Sequence, residues 1–146
     1  MMLKFLGAAS ASALLLCAGA ASAQTTATGS SSQQTGEDIS VGTSGSGQTT
    51  TNPDGSTSIG VTGSAEATAG DGGTASSESR AKLNGRRAMS TSVATARDDD
   101  ERARSRTRTV VRQGEEVRSR SHSVYKADGQ PAQVDRDYSV ARPDDK

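Results

Sequence analysis

Arg102-Ala103-Arg104-Ser105-Arg106-Thr107-Arg108-Thr109 places an arginine at every second position and a small residue at each position between. Successive side chains of a β-strand point to opposite faces, whereas a helix would scatter these arginines around its circumference. The octet therefore predicts a strand with an arginine ladder on one face and a carpet of Ala, Ser and Thr on the other. The next stretch repeats the theme: Arg118, Arg120 and His122 alternate with Val117, Ser119, Ser121, Ser123 and Tyr125.

Outward from this segment, turn chemistry divides the chain. In Asn52-Pro53-Asp54-Gly55, Pro fixes the first central φ, Asp bonds locally and Gly accepts a positive φ. Asp71-Gly72-Gly73, Asn84-Gly85, Gln113-Gly114 and Asp128-Gly129 are further turns, and Asp98-Asp99-Asp100 resists any packed element. The intervening runs alternate, which predicts strands near 39–51, 56–69, 74–83, 86–97, 102–112, 116–126 and 131–141. The expected fold is all-β, a low-complexity antiparallel meander of about seven strands with substantial disorder. The alternative is a mostly disordered chain. Residues 24–36, rich in Ser, Thr, Gly and Gln without apolar period, read as a flexible tail.

Little is available to build a core. From Gln24 onward the larger apolar residues are nine Val, two Ile, Leu83, Met89, Tyr125 and Tyr138, with neither Phe nor Trp. A conventional domain of this length buries far more, so either much of the chain is disordered or it folds as a thin sheet whose order depends on hydrogen bonding, calcium-like ions, partners or self-association.

The first 23 residues differ from the rest. Lys4 precedes an apolar core centred on Ala13-Leu14-Leu15-Leu16-Cys17-Ala18, and Ala21-Ser22-Ala23 supplies small residues for cleavage after Ala23. This is the pattern of a helical secretory signal peptide, too short and too diluted by Gly, Ala and Ser to span a bilayer. Cys17 lacks the small preceding residue of a lipidation site, since Leu16 stands there. The expected location is periplasmic or secreted, with no membrane span after cleavage and no cysteine left for disulfides or thiolate chemistry.

Charge divides the remainder into two further segments. Residues 37–79 are Gly/Ser/Thr-rich and acidic, and 24–79 as a whole carry six acids and no base. Residues 80–146 are the arginine-rich segment, with thirteen bases and six acids in 80–126 and a mixed-charge end in 127–146. In a single meander the acidic and the arginine strands share one sheet, and their charges compensate across neighbouring strands.

Catalytic patterns are absent. His122 stands among arginines with no acid spaced to orient it, and no histidine cluster suggests a metal. Gly42-Thr43-Ser44-Gly45-Ser46-Gly47 lacks the Lys-Ser/Thr ending of a phosphate loop. Asp98-Asp99-Asp100-Glu101 lacks the spaced ligands of a calcium loop. The expectation is a non-enzymatic protein without cofactor, structural and self-associating, acting in the envelope or outside the cell. The alternative is a polyanion-binding module for lipopolysaccharide or extracellular nucleic acid, using Arg102, Arg104, Arg106, Arg108, Arg118 and Arg120, because closely spaced guanidinium groups bind phosphate and sulfate.

Overall fold

The computed structural model describes residues 24–70, 72–113 and 115–142; the expected signal peptide and its cleavage after Ala23 lie outside them. Eight strands run in chain order: β1 (Gln24–Thr35), β2 (Ile39–Thr51), β3 (Thr57–Ala69), β4 (Thr74–Asn84), β5 (Arg87–Arg97), β6 (Glu101–Arg112), β7 (Val117–Ala127) and β8 (Gln133–Ala141). Every pairing is antiparallel between consecutive strands. Seven strands match the expected runs to within about two residues. The eighth, β1, replaces the expected flexible tail.

A larger correction concerns the sheets. The meander breaks after β3, giving a three-stranded sheet β1-β2-β3 and a five-stranded sheet β4-β5-β6-β7-β8. They pack face to face, with β1 over β7, β2 over β6 and β3 over β5. The break falls between β3 and β4, where Gly72 has φ +86°. At Gly73 a Cβ would come within 2.8 Å of Ala69 Cβ and 3.0 Å of the Arg97 carbonyl. The chain can cross from one sheet to the other here because neither glycine carries a side chain.

Hydroxyl groups hold the sheets together. Among the described residues thirteen polar residues are buried, all of them Ser or Thr, and they outnumber the nine buried apolar ones. Apolar side chains gather at the two ends of the strands. Ile39, Val41, Ala94, Ala96, Ala103 and Tyr125 form one cluster, and Ala88, Val111 and Val117 the other. Between them Thr43 shares hydrogen bonds with Ser105 (2.6 Å) and Thr107 (2.8 Å), while Ser119 shares them with Ser30 (2.6 Å) and Thr109 (2.8 Å). A buried hydroxyl is costly only when unpartnered, so a paired band can occupy the middle of a core.

Close approach makes this pairing possible. A Cβ at Gly45 would meet Thr109 Oγ1 at 2.5 Å, and one at Gly63 would meet Ser92 Oγ at 2.6 Å. Short side chains reach one another across the gap only because these positions carry none.

The two edges of the three-stranded sheet are tied down by the same chemistry. On β1 the carbonyls of Gly29 and Ser31 accept from the hydroxyls of Ser139 (2.8 Å) and Ser121 (2.9 Å). On β3 the carbonyl of Thr62 accepts from Ser90 (3.0 Å), and that of Thr57 accepts from the Gln113 amide (3.3 Å). At one end of the sandwich the Glu101 carboxylate accepts from the Tyr125 hydroxyl (2.5 Å) and from the backbone amides of Glu37 (3.3 Å) and Asp38 (3.4 Å). This clamp fixes the β1–β2 turn against β6 and β7.

Candidate functional site

Strand alternation, carried through each hairpin by register, decides where the arginines go. In β6 the side chains of Ala103, Ser105, Thr107, Thr109 and Val111 are buried, while Arg102, Arg104, Arg106, Arg108 and Arg112 are exposed. In β7, Arg118, Arg120 and His122 are likewise exposed between buried neighbours. All six arginines singled out from the sequence therefore share the outer face of the five-stranded sheet. His122 lies on it too, opposite Arg106 on one side and Arg136 on the other.

The structure adds cations to this face that the octet did not reveal. Arg87 and Arg97 end β5, Lys126 follows in β7, Arg136 stands in β8, and Arg80 and Lys82 in β4. Between residues 80 and 136 every Lys and Arg except Arg86, which sits in the β4–β5 turn, projects from this one surface. Their common parity is readable only once the turns between strands are fixed.

Cations on this face oppose cations. Arg108 faces Arg120, Arg102 faces both Arg97 and Lys126, and Arg87 faces Arg112. Directly opposed like charges destabilise a sheet by about 0.2–1 kcal/mol per pair, less when fully solvated.

Counter-charges are few and lie at the margin. Glu78 pairs with Arg80 on β4, Glu115 with Arg112 at 3.4 Å, and Glu116 with Arg118 and, at 3.7 Å, with Arg142. The Arg118 guanidinium bonded to Glu116 holds that carboxyl below its ordinary range. Among the described residues Arg102, Arg104, Arg106 and Arg120 make no ion pair. Arg120 instead lies over the Tyr138 ring, 4.8 Å from its centroid. Near the Glu116 end, Arg87, Arg108, Arg112, Arg118 and Arg120 line a shallow depression with Glu116 as its sole acid.

Charge compensation within one sheet is thus replaced by separation. Of the acids before Ser79, Glu37 and Asp38 stand in the β1–β2 turn, Asp54 in the β2–β3 turn, and Glu66 on the opposite outer face; Asp71 is outside the described residues. Only Glu78 reaches the arginine surface. Asp135 and Asp137 of β8 have the opposite parity to Arg136 and face inward.

The remaining candidates are placed as follows. The Gly42–Gly47 run lies in the middle of β2, and Gly45 and Gly47 serve close packing. Asp98–Asp100 form the β5–β6 turn, in which the Asp98 amide donates to the Glu101 carbonyl at 2.9 Å. Among the described residues no group of three or more His, Cys, Asp or Glu is placed to share a metal ion, and no helix is long and apolar enough to cross a membrane. No family model, curated protein or solved structure matches the chain.

Proposed function

We propose that this is an exported, non-enzymatic protein whose arginine face binds a linear polyanion carrying phosphate or sulfate groups, such as lipopolysaccharide or extracellular nucleic acid. The observation that carries the reading is the opposition of Arg108 to Arg120 and of Arg102 to Arg97 and Lys126, on a face with almost no acid. Such an array costs stability and contributes nothing to the core. An anionic polymer laid across it removes the repulsion and releases its own counterions.

Dimensions fit a polymer better than a single small anion. Alternate residues of a strand recur at about 6.8 Å, so the ladder from Arg102 to Arg108 spans about 20 Å, and neighbouring strands add rows about 4.8 Å apart. Among the described residues Tyr138 is the one aromatic side chain stacked by a guanidinium on this face, where the cations stand among Val, Thr and Met side chains, which suits recognition of backbone charge over base sequence. The signal-type N-terminus supports a periplasmic or extracellular site of action, where such polymers occur.

Heparin retention of residues 24–146, which contain all eight strands, tests the binding. Replacing Arg104, Arg106 and Arg108 with Ser should lower the salt needed for elution and reduce the dependence of log K on log salt by about two to three. Unchanged retention would overturn the reading. Lipopolysaccharide and single-stranded DNA as competitors tell the two sources of anion apart. Mass spectrometry of the expressed protein tests export, which requires a mature chain beginning at Gln24 outside the cytoplasm.

A further inference from the structure

A sandwich of two open sheets has four edge strands, and an unprotected edge is a template for another chain. Three of the four are blunted. Hydroxyl donors from the five-stranded sheet, and the Gln113 amide from its β6–β7 turn, occupy carbonyls of β1 and β3. On β8 the inward-pointing, exposed Asp135 and Asp137 would bury charge in any extended sheet.

β4 has neither device. It is exposed along its whole length and, among the described residues, pairs only with β5. Its inward positions, opposite buried residues of β5, are Ala75, Ser77, Ser79, Ala81 and Leu83, none of them charged. Leu83 is 68% exposed, the largest value among the exposed large apolar residues.

The order of residues along β4 is self-complementary. Ser79 is the midpoint of Thr74–Asn84, with Glu78 and Arg80 on either side of it. In an antiparallel pairing about a two-fold axis at Ser79, Glu78 lies opposite Arg80 of the second copy, and Arg80 opposite its Glu78. Both charges project from the outer face. On the inner face Leu83 lies opposite Ala75 of the second copy, and Ser77 opposite its Ala81. No like charges meet.

We propose that β4 is an isologous docking edge, and that its occupant is a second copy of this chain paired antiparallel about Ser79. The isologous contact closes on itself, because each edge is used once. It joins two five-stranded sheets into one of ten strands and sets two arginine faces side by side. The pairing does not depend on what those faces bind.

Residues 24–146 contain no cysteine, so a single introduced one reports the register. Under mild oxidation Ser79→Cys should form a disulfide dimer, because the two residues face each other at about 4.5–5.5 Å between Cβ atoms. Ser77→Cys should not, since the equivalent residue of the second copy lies four positions along the paired strand, about 13 Å away. Equal rates for the two variants, or sedimentation of the unaltered protein as a monomer at every concentration, would overturn the proposal. Glu78→Arg sets like charges opposite each other and should weaken dimerisation about tenfold. Adding Arg80→Glu should restore it; a double variant as weak as the single one shows that the register is wrong. All readings are made without polyanion, so their failure is distinct from failure of heparin retention.

Discussion

The inner and outer halves of β6 are woven from alternate residues of one strand and obey opposite rules. Inward, Ser105, Thr107 and Thr109 are fully buried and each hydroxyl has a partner on a neighbouring strand or across the gap. Outward, Arg104, Arg106 and Arg108 have no acid partner among the described residues, and Arg108 faces another arginine. Satisfaction of polar groups is therefore concentrated on the side that must exclude water. The solvated side can carry unpaired charge, because exposure and salt keep its cost small. Stability and binding are divided between the two faces, and substitutions should separate them.

The largest effect is expected where the sheets approach most closely. Gly45→Val drives side-chain atoms into Thr109 and Thr107 and should cost about 3 kcal/mol or more, seen as a fall in the urea midpoint. Gly42, three residues earlier on the outer face of the same strand and with its nearest atom 4.0 Å away, is the control. Gly42→Ala should be neutral or stabilising by about 0.5 kcal/mol.

Next comes the hydroxyl band. Thr43→Val removes the side-chain partner of Thr107 and one of the two partners of Ser105, which keeps its bond to the Ser32 carbonyl, and should destabilise by about 1–3 kcal/mol. Thr49 is buried with a hydroxyl that has no hydrogen-bond partner. There the same exchange should be neutral or stabilising, because no bond is lost and a desolvated polar atom is removed. If both substitutions cost the same, the hydroxyl pairing does not hold the sheets.

At the end of the sandwich the Tyr125–Glu101 clamp gives a pH signature. Burial and the hydrogen bond to Glu101 push the Tyr125 phenol up to about 12. A raised folded-state value means that its contribution is complete below the unfolded value near 10 and is lost as pH rises through about 12. Burial pulls the Glu101 carboxyl upward, but the bonds from Tyr125 and from the Glu37 and Asp38 amides outweigh it and leave it below 4.5. Its contribution is present above that value and lost as acid protonates it in the folded protein. Tyr125→Phe should cost about 1–2 kcal/mol at neutral pH and remove the alkaline loss. In a Tyr138→Phe background, tyrosinate absorbance follows Tyr125 alone.

The smallest effects belong to the outer face, and their sign is reversed. Arg108→Thr relieves the opposition to Arg120 and should raise stability by about 0.2–1 kcal/mol while weakening heparin retention. Added salt should likewise raise the urea midpoint slightly, by screening arginine from arginine. Salt that loosened the fold would mean that attraction between opposite charges dominates after all.

Much of this protein is local and could be read from the chain. Strand ranges, the parity of Arg102–Arg108 and of Arg118–His122, and the glycines at Gly55, Gly72 and Gly129 follow from alternation and turn geometry, which depend on residues a few positions apart. The candidate site was legible to the extent that it lies within single strands. Even the Asn84-Gly85 hairpin differs only by one position: Asn84 still pairs with Arg87, and the two loop residues are Gly85 and Arg86. β1 was not legible, because Gln24–Thr35 has no apolar alternation. Thr26, Ser30 and Ser32 are buried only through pairing with β2 and packing against the other sheet. Nor could local chemistry distinguish the crossing at Gly70–Gly73 from the hairpins before and after it, since a glycine turn suits either. The division into two sheets depends on contacts made at long range. Glycines at 45, 47 and 63 let the sheets close, hydroxyls pair across the gap, and β2 and β3 of the acidic segment lie on a separate sheet while the arginines are left together on the outside of the other.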